Sequence, residues 1–279
     1  MTAKTKGIIY MLLTGIIFSI GGVLMKLIPF TSLALNSARC FMAGSLILTY
    51  ALITKHKIRV NKHILFSAVA IAITSALYST AVKLTTAGAA IVIQFTAPVW
   101  AMIFCAILYK IKPRRGDIIA CIAVFTGIGV CFYEGLADGR TVGNLFALAS
   151  GITYAFVFMS NSGEDSDAMS SQIFGQFLAF IVGLPWLLRA DFSVMDSKGW
   201  IYLLLLGFVQ MGLGHLFMTK GLETTPAVTA CLITGLEPIL NPIWTAMFYG
   251  EPITTMFVIG AVIVLISVSL YNLWDIRQA

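Results

Sequence analysis

The chain has 279 residues, 59% of them hydrophobic and only 11% charged, with a net charge of +6. A soluble globular domain carries about 25% charged residues, so the composition excludes an ordinary soluble fold and points to a chain built for lipid. The positive charge is not a nucleic-acid signature, because it is gathered in three short clusters between apolar runs.

Apolar runs near the ~20 residues needed to cross a bilayer core recur from end to end. Span 1 (8–25) follows a short basic leader, Lys4 and Lys6. No small-residue cleavage site follows it and it is long enough to span, which favours a membrane helix over a signal peptide. Span 2 (32–53) carries Arg39 about two turns in. The basic loop Lys55, Lys57, Arg59 and Lys62 leads to span 3 (64–82), which holds Tyr78. Span 4 (88–109) contains Gln94, Pro98 and Trp100. The third basic cluster, Lys110, Lys112, Arg114 and Arg115, precedes the shorter span 5 (118–133).

The second half repeats the series. Span 6 (142–162) holds Tyr154, and the acidic loop Glu164, Asp165 and Asp167 leads to span 7 (168–188). Span 8 (199–219) holds Gln210 and His215, the one histidine inside a span. Span 9 (226–250) carries Glu237, Pro238, Asn241, Pro242 and Trp244, and span 10 (252–274) has no charge. The expectation is an all-α membrane protein of ten transmembrane helices. The five cysteines (Cys40, Cys105, Cys121, Cys131, Cys231) have no metal or redox spacing and read as small apolar residues.

At a shift of 140 residues, Ala90, Ile93, Pro98 and Tyr109 fall on Ala230, Ile233, Pro238 and Tyr249. At a shift of 136, Gly7, Leu12, Gly15 and Ile16 fall on Gly143, Leu148, Gly151 and Ile152. Two copies are thus expected, residues 1–140 and 141–279. Five spans per copy is an odd number, so the second copy must be inverted in the membrane, and the substrate site of such folds lies near mid-membrane at the repeat interface. The three basic clusters all fall on one side, which the positive-inside rule assigns to the cytoplasm together with both termini. Gly15/Ser19 and Gly151/Ala155 are small residues four apart, a spacing that lets helices approach closely.

Prolines mark the expected working point. Pro98, Pro238 and Pro242 each remove a backbone hydrogen bond inside a span, freeing the carbonyls of Gln94, Thr234 and Pro238. A carbonyl freed in lipid must be met by protein or cavity water. The candidate cavity residues are Tyr78, Gln94, Trp100, Tyr154, Gln210, His215, Glu237, Asn241 and Trp244. Glu237 and His215 are the candidates for proton coupling. Each has a structural alternative: Glu237 as a hydrogen-bonding carboxylate at the break, His215 as a satisfied buried imidazole, the aromatics as lipid-facing packing. For Arg39 an ion pair or snorkelling is expected, and Lys26 and Lys83 are expected to reach the membrane interface.

The pattern resembles the drug/metabolite transporter superfamily, in particular its ten-span EamA family. The resemblance covers the whole chain. It rests on the glycine-rich opening spans (GIIYMLLTGIIFSIGG and GNLFALASGITYAFVF), on Arg39 early in span 2, and on the small-residue entries with mid-span prolines in spans 4 and 9. It rests also on the closing Gly250-Glu251, where the first copy departs with Lys110-Ile111. It implies two bundles around a central cavity lined by spans 1–4 and 6–9, with spans 5 and 10 peripheral. It implies export or exchange of small metabolites such as amino acids, or of drug-like amphiphiles.

No GxxxxGK[ST], HExxH or GxSxG motif occurs, and no Asp lies within a span core. The expectation is therefore a secondary transporter in the cytoplasmic membrane, without cofactor, metal or nucleic acid. Its partners are a small-molecule substrate, the lipid bilayer and protons as a candidate coupling ion, and it acts as a monomer or homodimer. A multidrug or cationic-amphiphile exporter is the alternative, and an intramembrane enzyme or a non-transporting sensor are the more distant ones.

Overall fold

The computed structural model describes residues 3–108, 115–137, 139–160, 166–224 and 233–278. Every regular element among them is helical: α1 Ala3–Ser19, α2 Gly21–Leu27, α3 Ser32–Ile53, α4 Lys62–Leu84, α5 Ala87–Gln94, α6 Ala97–Leu108, α7 Arg115–Ala137, α8 Thr141–Ser160, α9 Ala168–Leu188, α10 Ser197–Leu204, α11 Gly214–Leu222, α12 Glu237–Tyr249 and α13 Thr255–Gln278. A single 3-10 turn, Phe192–Val194, precedes α10, and a π-helical stretch, Leu205–Leu213, joins α10 to α11. Five runs are long and apolar enough to cross a membrane: Thr5–Leu27, Lys62–Leu84, Ala87–Phe104, Ala168–Leu188 and Ser197–Leu222. Shorter apolar helices cover Ile118–Val130, Thr141–Val157 and Thr255–Leu270. The loop residues Lys110, Lys112, Arg114, Glu164 and Asp165, together with Tyr109, Ala230 and Cys231, lie outside the described residues, as do the side chains of Pro98, Cys105 and Cys131.

Local chemistry sets the helix ends. Asn61 accepts from the Ile64 N–H (2.8 Å) to start α4, Thr86 from the Ala89 N–H (3.1 Å) to start α5, and Asp196 from the Gly199 N–H (2.7 Å) to start α10. Each meets a backbone donor that the first helical turn leaves without a partner. At the other end of α12, Gly250 adopts φ 78°, the left-handed cap that glycine takes without strain.

The helices pack in a self-consistent set of pairs. α3 lies on α9, α7 on α13 and α5 on α12. α4 packs on α8 as α1 packs on α11, and α4 on α9 as α3 on the π stretch. α5 and α6 pack on α8 as α12 packs on α1 and α2. Exchanging each span for the one five further along maps this set onto itself. Close approach needs small residues at the crossings. A Cβ on Gly143 would lie 2.6 Å from the backbone of Leu84 and Thr85, and one on Gly127 2.6 Å from Val264. Outward faces such as Ile118, Ile119 and Ile122 are exposed and apolar, as a lipid-facing surface requires.

Candidate functional site

The two breaks foreseen at the prolines are present, and they match bond for bond. In the first, the Thr96 N–H donates to the Ile93 carbonyl (3.3 Å), and Val99 and Trp100 donate to the Thr96 carbonyl (2.9 and 3.4 Å). In the second, Leu236 donates to Ile233 (3.4 Å), and Ile239 and Leu240 donate to Leu236 (3.2 and 2.9 Å). The helix resumes at Ala97 and at Glu237, which puts the Glu237 carboxylate in the first turn of α12. A helix N-terminus is where an anion is stabilised by the backbone dipoles.

Each break is cradled by the opening helix of the other half. A Cβ on Gly151 would lie 3.2–3.3 Å from the carbonyls of Ile93 and Gln94 and from the Thr96 hydroxyl. A Cβ on Gly15 would lie 3.4–3.6 Å from Thr234, Ile233 and Leu236. The paired glycines are therefore more than helix-packing residues: they admit the freed backbone of the breaks.

Between the breaks lies a cavity of about 140 Å³. Six of the nine candidate cavity residues line it: Tyr78, Gln94, Tyr154, Gln210, His215 and Glu237. Trp100, Asn241 and Trp244 do not. The Trp100 indole donates to Thr96 Oγ1 (3.2 Å) and stands edge-on to Phe125, while the Trp244 indole donates to Ser19 Oγ (3.0 Å). Asn241 is fully buried on the far side of the break, against Gly22, where a Cβ would come within 2.5 Å of its amide oxygen. Pro238 is buried in the first turn of α12, at the break, whereas Pro242 is buried inside the uninterrupted helix, so the break expected there is absent; of Pro98 the backbone alone is described. Among the described residues nothing from α7 or α13 reaches the cavity.

Arg39, Gln172 and Gln176 are among the lining residues not named as cavity candidates. Arg39 is buried rather than snorkelling, and among the described residues no carboxylate pairs with it. Its guanidinium is held by Asn36 Oδ1 (3.3 and 3.1 Å) and by the carbonyl and hydroxyl of Ser75 (3.3 and 3.1 Å). Cys40 is buried beside the same Ser75 hydroxyl (3.4 Å). Gln172 and Gln176 come from α9. Two amides four residues apart in an apolar helix share one face, and that spacing was a readable signal. His215 turns Nδ1 to the Met211 carbonyl (2.7 Å) and sits against Phe18.

The cavity lining extends toward the end of α11. From Arg39, Gln94 and Glu237 it runs past Tyr154, Gln172 and Met218 as far as Leu222, the last residue of α11. At the opposite end a clasp joins three spans. Gly250 turns the chain out of α12, and Glu251 then pairs with Lys26 of α2 (2.8 Å) and accepts the Ala87 N–H at the start of α5 (2.9 Å). Lys26 also donates to the Thr85 carbonyl (2.7 Å), and Lys83 donates to the Ile28 carbonyl (2.6 Å). Both lysines bond to backbone carbonyls at the helix ends.

The EamA-like transporter family matches this chain twice, over residues 5–133 and 141–273. An "Uncharacterized transporter" of Clostridium kluyveri is 24% identical, covering 94% of this chain and 91% of its own length. The "Biotin transporter" of Escherichia coli K12 is 22% identical over 63% of this chain and 62% of its own. A solved structure described as "Crystal structure of protein" superposes with a TM-score of 0.70 at 13% identity, covering 97% of this chain and 98% of the other. At that identity the likeness speaks for the fold alone.

Proposed function

The chain belongs to the EamA-like transporter family, and on that premise we propose that it exports or exchanges small polar metabolites across the cytoplasmic membrane by alternating access. The observation that carries this reading is the polar cavity whose lining reaches Leu222 at the end of α11, with the Lys26–Glu251 clasp joining helix ends away from it. By the positive-inside rule the clasp faces outward, so this conformation is the one loaded from the cytoplasm.

Two inverted halves of five spans, residues 1–140 and 141–279, supply the movement. The double family match, the matched breaks, the crosswise glycines and the helix pairs that map onto each other all support this. Among the described residues Glu237 is the only carboxylate in the cavity and the candidate for coupling transport to protons. Tyr78, Gln94, Tyr154, Gln210 and His215 complete the candidate binding surface. Their residue types suit an amino acid or a related small compound better than a bulky dye.

The test is counterflow in proteoliposomes loaded with unlabelled amino acids, vitamins or cationic dyes. Accumulation of the matching labelled compound is expected for the amino acids or vitamins. Accumulation of dyes alone would favour the multidrug reading, and no counterflow with any compound would overturn the transport reading.

A further inference from the structure

The loop between α3 and α4 gathers Lys55, Lys57, Arg59 and Lys62, and all four are exposed. Among the described residues no carboxylate pairs with any of them; the ion pairs at this end join His56 to Asp167 and Lys220 to Glu223.

The loop is built rather than slack. Ile58 packs against the apolar cluster of Ile47, Ala51, Met169, Ile173 and Leu216, with its neighbours Lys57 and Arg59 exposed on either side. The His56 N–H donates to the Ala51 carbonyl (2.8 Å), next to Lys55 at φ 53°. The Arg59 N–H donates to the Ser170 hydroxyl (3.0 Å) and His56 meets Asp167 (2.9 Å), so the loop is fastened to the start of α9. None of these bonds uses a lysine or arginine side chain.

Its place is the edge of the apolar layer. Ile53 is the last residue of α3, and Lys62 the first residue of a run long enough to cross a membrane. Leu52, Ile53 and Val60 are 64%, 76% and 64% exposed. Water satisfies exposed cations but not apolar side chains set among them; a bilayer surface, with phosphates above and acyl chains below, satisfies both. The positive-inside rule assigns this end to the cytoplasm, and the leaflet there is the anionic one. Four cations beside a membrane helix are enough to hold anionic headgroups.

We propose that this loop is a docking surface for anionic phospholipid headgroups. Its cations hold the phosphates while Leu52, Ile53 and Val60 lie among the upper acyl carbons. Because the loop is bonded to α9, a docked lipid also fastens the α3–α4 hairpin to that helix. The surface is separate from the cavity and does not depend on what the cavity carries.

The test is thermal unfolding of the full chain in two kinds of nanodisc, since a ligand of the native state raises its stability. One kind holds phosphatidylcholine alone, the other equal parts phosphatidylcholine and phosphatidylglycerol with the same acyl chains. Phosphatidylglycerol is expected to raise the midpoint by about 2–4 °C. Salt at about 1 M, where the screening length is only about 3 Å, should erase most of the rise. The variant combining Lys55→Gln, Lys57→Gln, Arg59→Gln and Lys62→Gln should lose the rise. Arg189→Gln with Lys198→Gln, which removes exposed cations near the other end of α9, should keep it. If the fourfold variant does not fold, Lys55→Gln with Lys57→Gln should still remove about half of the rise. Equal midpoints in the two discs, or a rise unchanged in the loop variants, overturns the proposal. So does an equal loss in the Arg189 and Lys198 control, which would trace the rise to overall charge. An equal rise from inorganic phosphate in phosphatidylcholine discs would assign the patch to a free anion and overturn lipid docking.

Discussion

Glu237 and Ala97 occupy equivalent positions at the two breaks, and that single difference gives the cavity its one carboxylate among the described residues. A carboxylate at mid-membrane depth costs several kcal/mol unless it faces a cavity or a partner. Here it faces a cavity and starts a helix. Glu237→Gln keeps the shape and removes the charge. It is expected to abolish uptake driven by a pH gradient while leaving the protein folded and monodisperse; undiminished proton-driven uptake would remove Glu237 as the coupling group. Glycines make a separate prediction about stability. Gly143→Ala drives a methyl into the Leu84–Thr85 backbone, which cannot yield, and should destabilise by about 1–3 kcal/mol in detergent unfolding. Gly129 has open space around it, so Gly129→Ala should be neutral or stabilising by up to about 1 kcal/mol. The sequence showed which glycines recur between the halves, but not what each one lies against.

At the scale of elements, the ends of helices carry the contacts that the proposed mechanism would have to break. The Lys26–Glu251 pair is largely buried, with side-chain exposures of 12% and 11%. Removing one partner of such a pair leaves a charge uncompensated, at a cost on the order of 3 kcal/mol. Glu251→Gln should therefore loosen the clasp end, read as faster labelling of a cysteine placed at Ala90 by an impermeant thiol reagent. Unchanged labelling would mean that the clasp does not hold that end shut. At the opposite end, Asp167 caps α9 by accepting from Met169 N–H (3.2 Å) and Ser170 (2.5 Å), and it meets His56 (2.9 Å) from the loop after α3. Burial works against its ionisation, but the bonds from Ser170 and His56 outweigh it and hold the carboxyl below the usual carboxylate range. A depressed value means that this stability is full above the ordinary carboxylate pKa, about 3.9, and is lost as pH falls through the folded value. Asp167→Asn should flatten the acid limb of the stability profile between about pH 5 and 2, measured by thermal unfolding across that range. The breaks in spans 4 and 9 were legible because proline cannot donate. The turn at Ile20 and the π stretch at Leu205–Leu213 were not, since both depend on glycines admitting another helix: Gly21 against Gln210, and Gly207 against Met42.

For the molecule as a whole, alternating access requires that the clasp and the cavity mouth not be open together. The prediction at this scale is that crosslinking residues 26 and 251 through Lys26→Cys and Glu251→Cys stops counterflow while ligand-induced thermal stabilisation persists. Transport that continues under the crosslink would show that this end need not open. Composition and apolar run length determined by themselves that this is an all-helical membrane protein, because bilayer thickness and backbone hydrogen bonding leave an apolar chain little choice, and the motifs of its two copies carried the resemblance to the EamA family. The tertiary structure alone decided which polar residues meet. Helical position says which residues share a face, but not which face turns inward, and so Trp100, Asn241 and Trp244 looked as suited to the cavity as Gln94 and Glu237. Only the packing of the helices shows that Arg39, Gln172 and Gln176 meet in one cavity.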